Sequence, residues 1–116
     1  MIQSAPVSLY GAFHMSLSGK QIRSLRSESH RLKLKPVVLI GQHGLSESVM
    51  NELEQAIKHH ELMKIRLPGL EKSDKKAMLE NLTAQLNATL VQSIGHTAVL
   101  FRENPDVRRY RKILAQ

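Results

Sequence analysis

The chain of 116 residues contains no cysteine and no tryptophan, and only two Phe and two Tyr. Without cysteine there is no disulfide, no thiolate zinc site and no cysteine nucleophile, a composition that suits a cytoplasmic protein. So few aromatic rings argue against a surface that holds nucleic acid mainly by stacking bases on aromatic side chains. No apolar run approaches the roughly 20 residues that a membrane helix requires, so no membrane partner is expected. Residues 1–18 carry no Lys, Arg, Asp or Glu, and they lack the basic start and long apolar centre of a secretory signal.

Catalytic motifs are scarce as well. Gly44 is followed by Leu45 and Ser46, not by Lys and Ser or Thr, so the glycine loop at Gly41 is not a Walker-type phosphate loop. His59-His60-Glu61 does not form H-E-x-x-H, and adjacent histidines at a helix end point in different directions. No grouping of serine, histidine and carboxylate can be assembled from the sequence. These absences predict a non-catalytic protein with no metal, no cofactor and no small-molecule substrate.

Positive charge is what the chain has in excess: 17 Lys and Arg against 10 Asp and Glu, a formal net charge of +7. A polyanion is the partner such a balance favours, and nucleic acid is the commonest one. The distribution is uneven. Residues 20–44 hold Lys20, Arg23, Arg26, Arg31, Lys33 and Lys35 against Glu28 alone. Residues 45–61 reverse the sign, with Glu47, Glu52, Glu54 and Glu61 against Lys58. A basic side and an acidic helix on one small domain orient an anion.

The length fits one domain with a real core. Residues 1–14 read as an upstream extension or expression remnant, disordered and without a role, since Met15-Ser16-Leu17-Ser18 looks like a natural start. A helix is predicted over residues 18–32, with Ser18 as its N-cap and Ile22, Leu25, Ser29 and Leu32 on one face. Lys20, Arg23 and Arg31 gather on the other side, with Arg26 off that cluster. Such charges are ordinarily a solvated helix face; here Lys33 and Lys35 carry the basic surface onward into the next element.

That element is the centre of the sequence. After Pro36, the run Val37-Val38-Leu39-Ile40 predicts a strand covered on both faces, and it leads into Gly41-Gln42-His43-Gly44. Helical periodicity follows over residues 46–59, with Leu45, Val49, Leu53, Ala56 and Ile57 inward. The amides near Gly44 and Leu45 are therefore expected at a helix N-terminus, where phosphate oxygens are stabilised. A second strand over residues 62–67 puts Met63, Ile65 and Leu67 on one face and Lys64 and Arg66 on the other. A third helix over residues 73–87 is expected to be capped by Ser73 or Asp74, with Leu79, Leu82 and Leu86 inward. Strands over residues 89–94 and 97–102 flank Gly95-His96, which suits a type II′ hairpin turn. Residues 105–116, with Arg108, Arg109, Arg111 and Lys112 around Tyr110, read either as a loose basic tail or as a final helical turn packed by Ile113 and Leu114.

The element order predicts a two-layer α/β domain, α-β-α-β-α-β-β, with two crossover helices and a four-stranded mixed sheet. By itself a G-x-x-G sequence is a weak signal, because any strand-to-helix turn that needs glycine torsions reads the same way. Ile40-Gly-Gln-His-Gly-Leu45 also resembles the KH-domain loop, which clamps backbone nucleotides. The KH loop joins two helices, whereas this one follows a strand.

Four ordered blocks carry a more specific resemblance: Leu17-Ser-Gly-Lys-Gln21, His30 to Leu45, His60-Glu-Leu-Met-Lys-Ile65, and Val91-Gln-Ser-Ile-Gly95 with Val99-Leu-Phe-Arg102. Together they resemble the bacterial YhbY proteins, which are stand-alone CRM (chloroplast RNA splicing and ribosome maturation) domains. The likeness covers residues 15–104. It implies the fold of the C-terminal domain of bacterial translation initiation factor three, and association with rRNA of precursor large ribosomal subunits. It also implies RNA contact through the G-x-x-G loop, here Gly41, Gln42, His43 and Gly44. Charge and predicted face add Lys20, Arg23, Arg31, Lys33, Lys35, Lys64 and Arg66. Phe101 stands where a Tyr is common in the family, and the N-terminal extension has no family counterpart. The expected protein is a cytoplasmic, monomeric RNA-binding factor. A general nucleic-acid chaperone and an adaptor that docks an acidic protein are the alternatives.

Overall fold

Ser18 starts the first helix by capping it reciprocally. Its Oγ accepts the Gln21 N–H at 3.1 Å, and its own N–H donates to Gln21 Oε1 at 2.8 Å, satisfying two donors that a helix start leaves open. In the computed structural model, which describes residues 17–116, this helix is α1 (Gly19–Arg31). The expectations for residues 1–14 lie outside the described residues. The elements that follow are β1 (Pro36–Leu39), α2 (Glu47–His60), β2 (Leu62–Arg66), α3 (Lys72–Leu86), β3 (Thr89–Ile94), β4 (Thr97–Phe101) and α4 (Arg111–Leu114).

The fold is α/β with one four-stranded mixed sheet in the order β1-β2-β4-β3. β1 and β2 run parallel through the crossover α2, while β4 lies antiparallel between β2 and β3. β1, β2 and β3 therefore all finish at the same end of the sheet. At that end Gly95 turns the β3–β4 hairpin with φ +56, as the first position of a II′ turn requires.

One face of the sheet carries the main core. Val38, Ile65, Ala98 and Leu100 meet Leu53 and Ile57 of α2 and Leu79, Leu82 and Leu86 of α3. On the other face, Leu25 of α1 packs with Leu62, Val91, Val99, Phe101 and Tyr110, joined by Ile113 and Leu114 of the chain's end. α1 and α4 thus add a partial third layer to the two that the element order predicts. The C-terminal segment is the packed helical turn and not a loose tail: Gln21 Nε2 donates to the Leu114 carbonyl at 2.9 Å.

Two local expectations are corrected. β1 is an edge strand with a single covered face, since Val38 is 1% exposed whereas Val37 and Leu39 are 43% and 64% exposed. The reason is the placement of α1 and α4, whose cluster takes no side chain from β1. The third helix begins earlier than Ser73 or Asp74 would allow as caps. Glu71 occupies its N-cap position without a side-chain cap bond, and Asp74 lies in the first turn.

Candidate nucleic-acid interface

The glycine-bracketed loop begins where β1 stops pairing. Ile40 extends the ladder by donating to the Arg66 carbonyl at 2.9 Å, and the chain then turns so that the Gly44 N–H meets the Gly41 carbonyl at 3.0 Å. Gly41, Gln42 and His43 are exposed, and Gly44 is half-buried. The two glycines serve different purposes. Gly44 has φ +75, a torsion that costs any residue with a Cβ. Gly41 has ordinary torsions, and a Cβ built on it meets nothing within 4 Å, so its backbone faces open space.

The helix N-terminus lies further along than the sequence suggests. Ser46 is the N-cap of α2, its Oγ accepting the Val49 N–H at 3.2 Å. The Gly44 amide is spent inside the turn, and Glu47 places a carboxylate in the first helical turn. The loop, not the helix tip, is the open part of this region.

Beyond the reach of α1, no described residue covers the second sheet face. Leu39 pairs with Arg66, Arg66 with Thr97, and Thr97 with Ile94, forming one row across all four strands. Leu39 and Ile94 are exposed, as is Arg66 between them. At the strand ends this row opens into a cleft of about 400 Å³, whose lining includes Gly41, Gln42, Arg66, Pro68 and His96. A second hollow, of about 310 Å³, brings Lys33, Lys35 and Lys64 together beside Val37 and His60. Among the described residues, no acidic side chain lines either one. Burial, followed by the nearby His59 and Arg109, lowers the His60 pKa from the ordinary imidazole value.

The site residues expected from the sequence are thus divided. Gly41, Gln42 and Arg66 share the cleft, and Lys33, Lys35 and Lys64 share the hollow. Lys20 and Arg23 are exposed on α1 and line neither. Arg31 is already engaged: it makes a two-pronged ion pair with Glu28, Nε to Oε1 at 3.0 Å, which lowers the Glu28 pKa. His43 is exposed in the loop but outside the cleft lining. His59 and His60 have ring centroids 4.7 Å apart at 78°. His96 and Pro68 are the residues that sequence reasoning missed. Strand direction could have found them, because a hairpin turn following a strand parallel to β1 and β2 must return to the same sheet end.

The sequence matches the family described as the CRS1 / YhbY (CRM) domain over residues 17–102. A Pseudomonas aeruginosa protein named a probable RNA-binding protein is 43% identical over 91 residues, covering 78% of this chain and 86% of that protein. A Haemophilus influenzae protein named an RNA-binding protein is 37% identical over 93 residues, covering 80% of this chain and 92% of its own. The solution structure of a Staphylococcus aureus protein superposes with a TM-score of 0.66 at 34% identity, covering 76% of this chain and 90% of that one.

Proposed function

Because the chain belongs to the CRS1 / YhbY (CRM) domain family, we propose that it is a non-catalytic RNA-binding protein that acts on the rRNA of precursor large ribosomal subunits and assists their assembly. The observation that carries this reading is the juxtaposition of the open loop at Gly41 with Arg66 in one cleft with no acidic side chain among its described lining residues. Phosphate approaches Gly41 closely because no Cβ intervenes, and Arg66, Lys64, Lys33 and Lys35 supply the long-range attraction. α1 adds Lys20 and Arg23 as peripheral phosphate contacts. The relatives named as RNA-binding proteins support RNA over other polyanions. The protein works as a monomer in the cytoplasm, where such precursors are assembled.

The test is sedimentation of the full chain, tagged, in ribosome gradients from its own cells, with Gly41→Asp beside it. Gly41 is chosen because a side chain fits there, so the variant brings negative charge to the loop without disturbing the fold. Co-migration with large-subunit precursors that the folded variant loses is the expected result. Sedimentation only at the top of the gradient, at low as well as moderate salt, would favour an adaptor for an acidic protein.

A further inference from the structure

The cleft beside the loop has features that phosphate binding alone does not require. Its wall is formed in part by Leu39, 64% exposed, and by Pro68, neither of which attracts a phosphate. Its volume of about 400 Å³ lies in the range of small-molecule pockets, roughly 300–1,000 Å³. It also sits outside the carboxyl ends of parallel strands, where open α/β sheets bind ligands.

His96 is held in place on three sides. Its carbonyl accepts the Leu67 N–H at 2.6 Å, and the preceding Gly95 carbonyl accepts Lys75 Nζ at 2.6 Å. The ring lies against Gly69, with His96 Cε1 3.5 Å from the place a Cβ would occupy there. Arg66, in the same lining, is exposed and takes part in no ion pair among the described residues. Among the described residues the Phe and Tyr rings, Phe101 and Tyr110, are buried at the other end of the sheet. Among the described residues, the His96 imidazole and the Arg66 guanidinium are therefore the groups of this cleft on which an unpaired base stacks.

We propose that this cleft receives one unpaired RNA base, stacked on His96 and Arg66 over Leu39 and Pro68, while the adjoining phosphate lies on the loop at Gly41. The proposal rests on the RNA-binding reading above and sharpens it. The protein selects RNA with a splayed-out nucleotide, in a single strand, a loop or a bulge, over continuous duplex, whose base faces are hidden in the stack.

The test compares binding of the full chain to a short single-stranded RNA and to the blunt duplex of the same sequence, with His96→Ala and His96→Phe. Wild type should prefer the single strand. His96→Ala should lose roughly tenfold or more of that affinity with a smaller loss for duplex, and His96→Phe should retain it, because a phenyl ring stacks without a charge or a hydrogen bond. Leu39→Asp, at an exposed position of β1, should lower single-strand binding as well. If wild type binds neither RNA, the RNA-binding reading itself fails. If wild type binds RNA but does not prefer the single strand, or His96→Ala matches wild type, or His96→Phe is as weak as His96→Ala, the base pocket is overturned and the RNA-binding reading stands.

Discussion

Glu61 holds Arg109 through the backbone: its Oε1 accepts the Arg109 N–H at 3.0 Å, while Oε2 accepts the Asn104 N–H at 2.8 Å. The side chain is fully buried, and the residue itself sits at φ 64 where α2 gives way to β2. One carboxylate therefore ties the C-terminal segment to the centre of the domain. Glu61→Gln swaps one acceptor for a donor that faces an N–H. The expected loss is about 1–3 kcal/mol, read as a lower midpoint in urea, together with faster proteolysis after Arg108 or Arg109.

The two loop glycines should respond in opposite ways. Gly44→Ala forces a Cβ into φ +75 and should cost about 1–2 kcal/mol, whereas Gly41→Ala should leave stability within ~0.5 kcal/mol of wild type. Denaturant melts of the two variants decide the matter. Equal losses would mean that Gly41 too is required by the backbone.

Arg102 closes a second link between elements. Its guanidinium bonds Glu54 at 2.7 and 2.9 Å and the Leu86 carbonyl at 2.9 Å, joining the chain after β4 to α2 and to the end of α3. Arg102→Lys keeps the charge but loses the fork, and should cost about 1–2 kcal/mol. The same pairing holds the Glu54 carboxyl below the ordinary carboxylate range, through its hydrogen bonds to Arg102. A carboxyl whose folded pKa is lowered stabilises the fold above its unfolded pKa and loses that contribution as pH falls through the folded value. The drop in melting temperature on acidification should therefore be smaller in Glu54→Gln than in wild type.

His60 titrates with the same slope for a different cause. Burial, then the neighbouring His59 and Arg109, favours the neutral ring, so the unfolded chain takes up the proton first as pH falls below the ordinary imidazole value, and stability declines. His60→Gln should flatten the stability profile between neutral pH and that lower folded value. An unchanged profile would locate the titration elsewhere.

Charge removal should not act uniformly on RNA affinity. Arg31 is paired with Glu28, whereas Lys35 stands in the hollow with Lys33 and Lys64. Lys35→Ala should lower affinity several-fold and reduce the salt slope by about 0.7–0.9, with a smaller change for Arg31→Ala. Lys20→Glu with Arg23→Glu should weaken many RNAs alike. A filter-binding series in rising salt reads all three.

Periodicity made most of the fold legible. The inward faces of α2 and α3 are the ones their apolar spacing names, and the alternation of residues 62–67 puts Met63, Ile65 and Leu67 in one core cluster. Ser18 carried its cap in plain view. What periodicity could not supply is lateral placement: Val37 and Leu39 have the composition of a doubly covered strand, and among the described residues the placement of α1 and α4 away from that edge leaves them bare. The same holds for the site. Gly41 and Gly44 were visible as a loop, but Arg66 and His96 come to it through strand direction and hairpin closure, which are pairwise properties of distant segments.

The exposed edge of β1 gives the lysines that precede it a second effect. A strand at the border of a sheet offers unpaired backbone groups to any other strand, and exposed Val37 and Leu39 would reward such an addition. Pro36 opens the strand, the pairing with β2 shifts register between Pro36 and Val38, and Lys33 and Lys35 stand just before it. These features make the edge a poor template for self-association. The two lysines thus guard against clumping as well as attracting polyanions, and replacing both with alanine would yield protein whose weak RNA binding and poor solubility share one origin. Glutamate substitutions, which reverse the attraction while keeping the edge charged, separate the two.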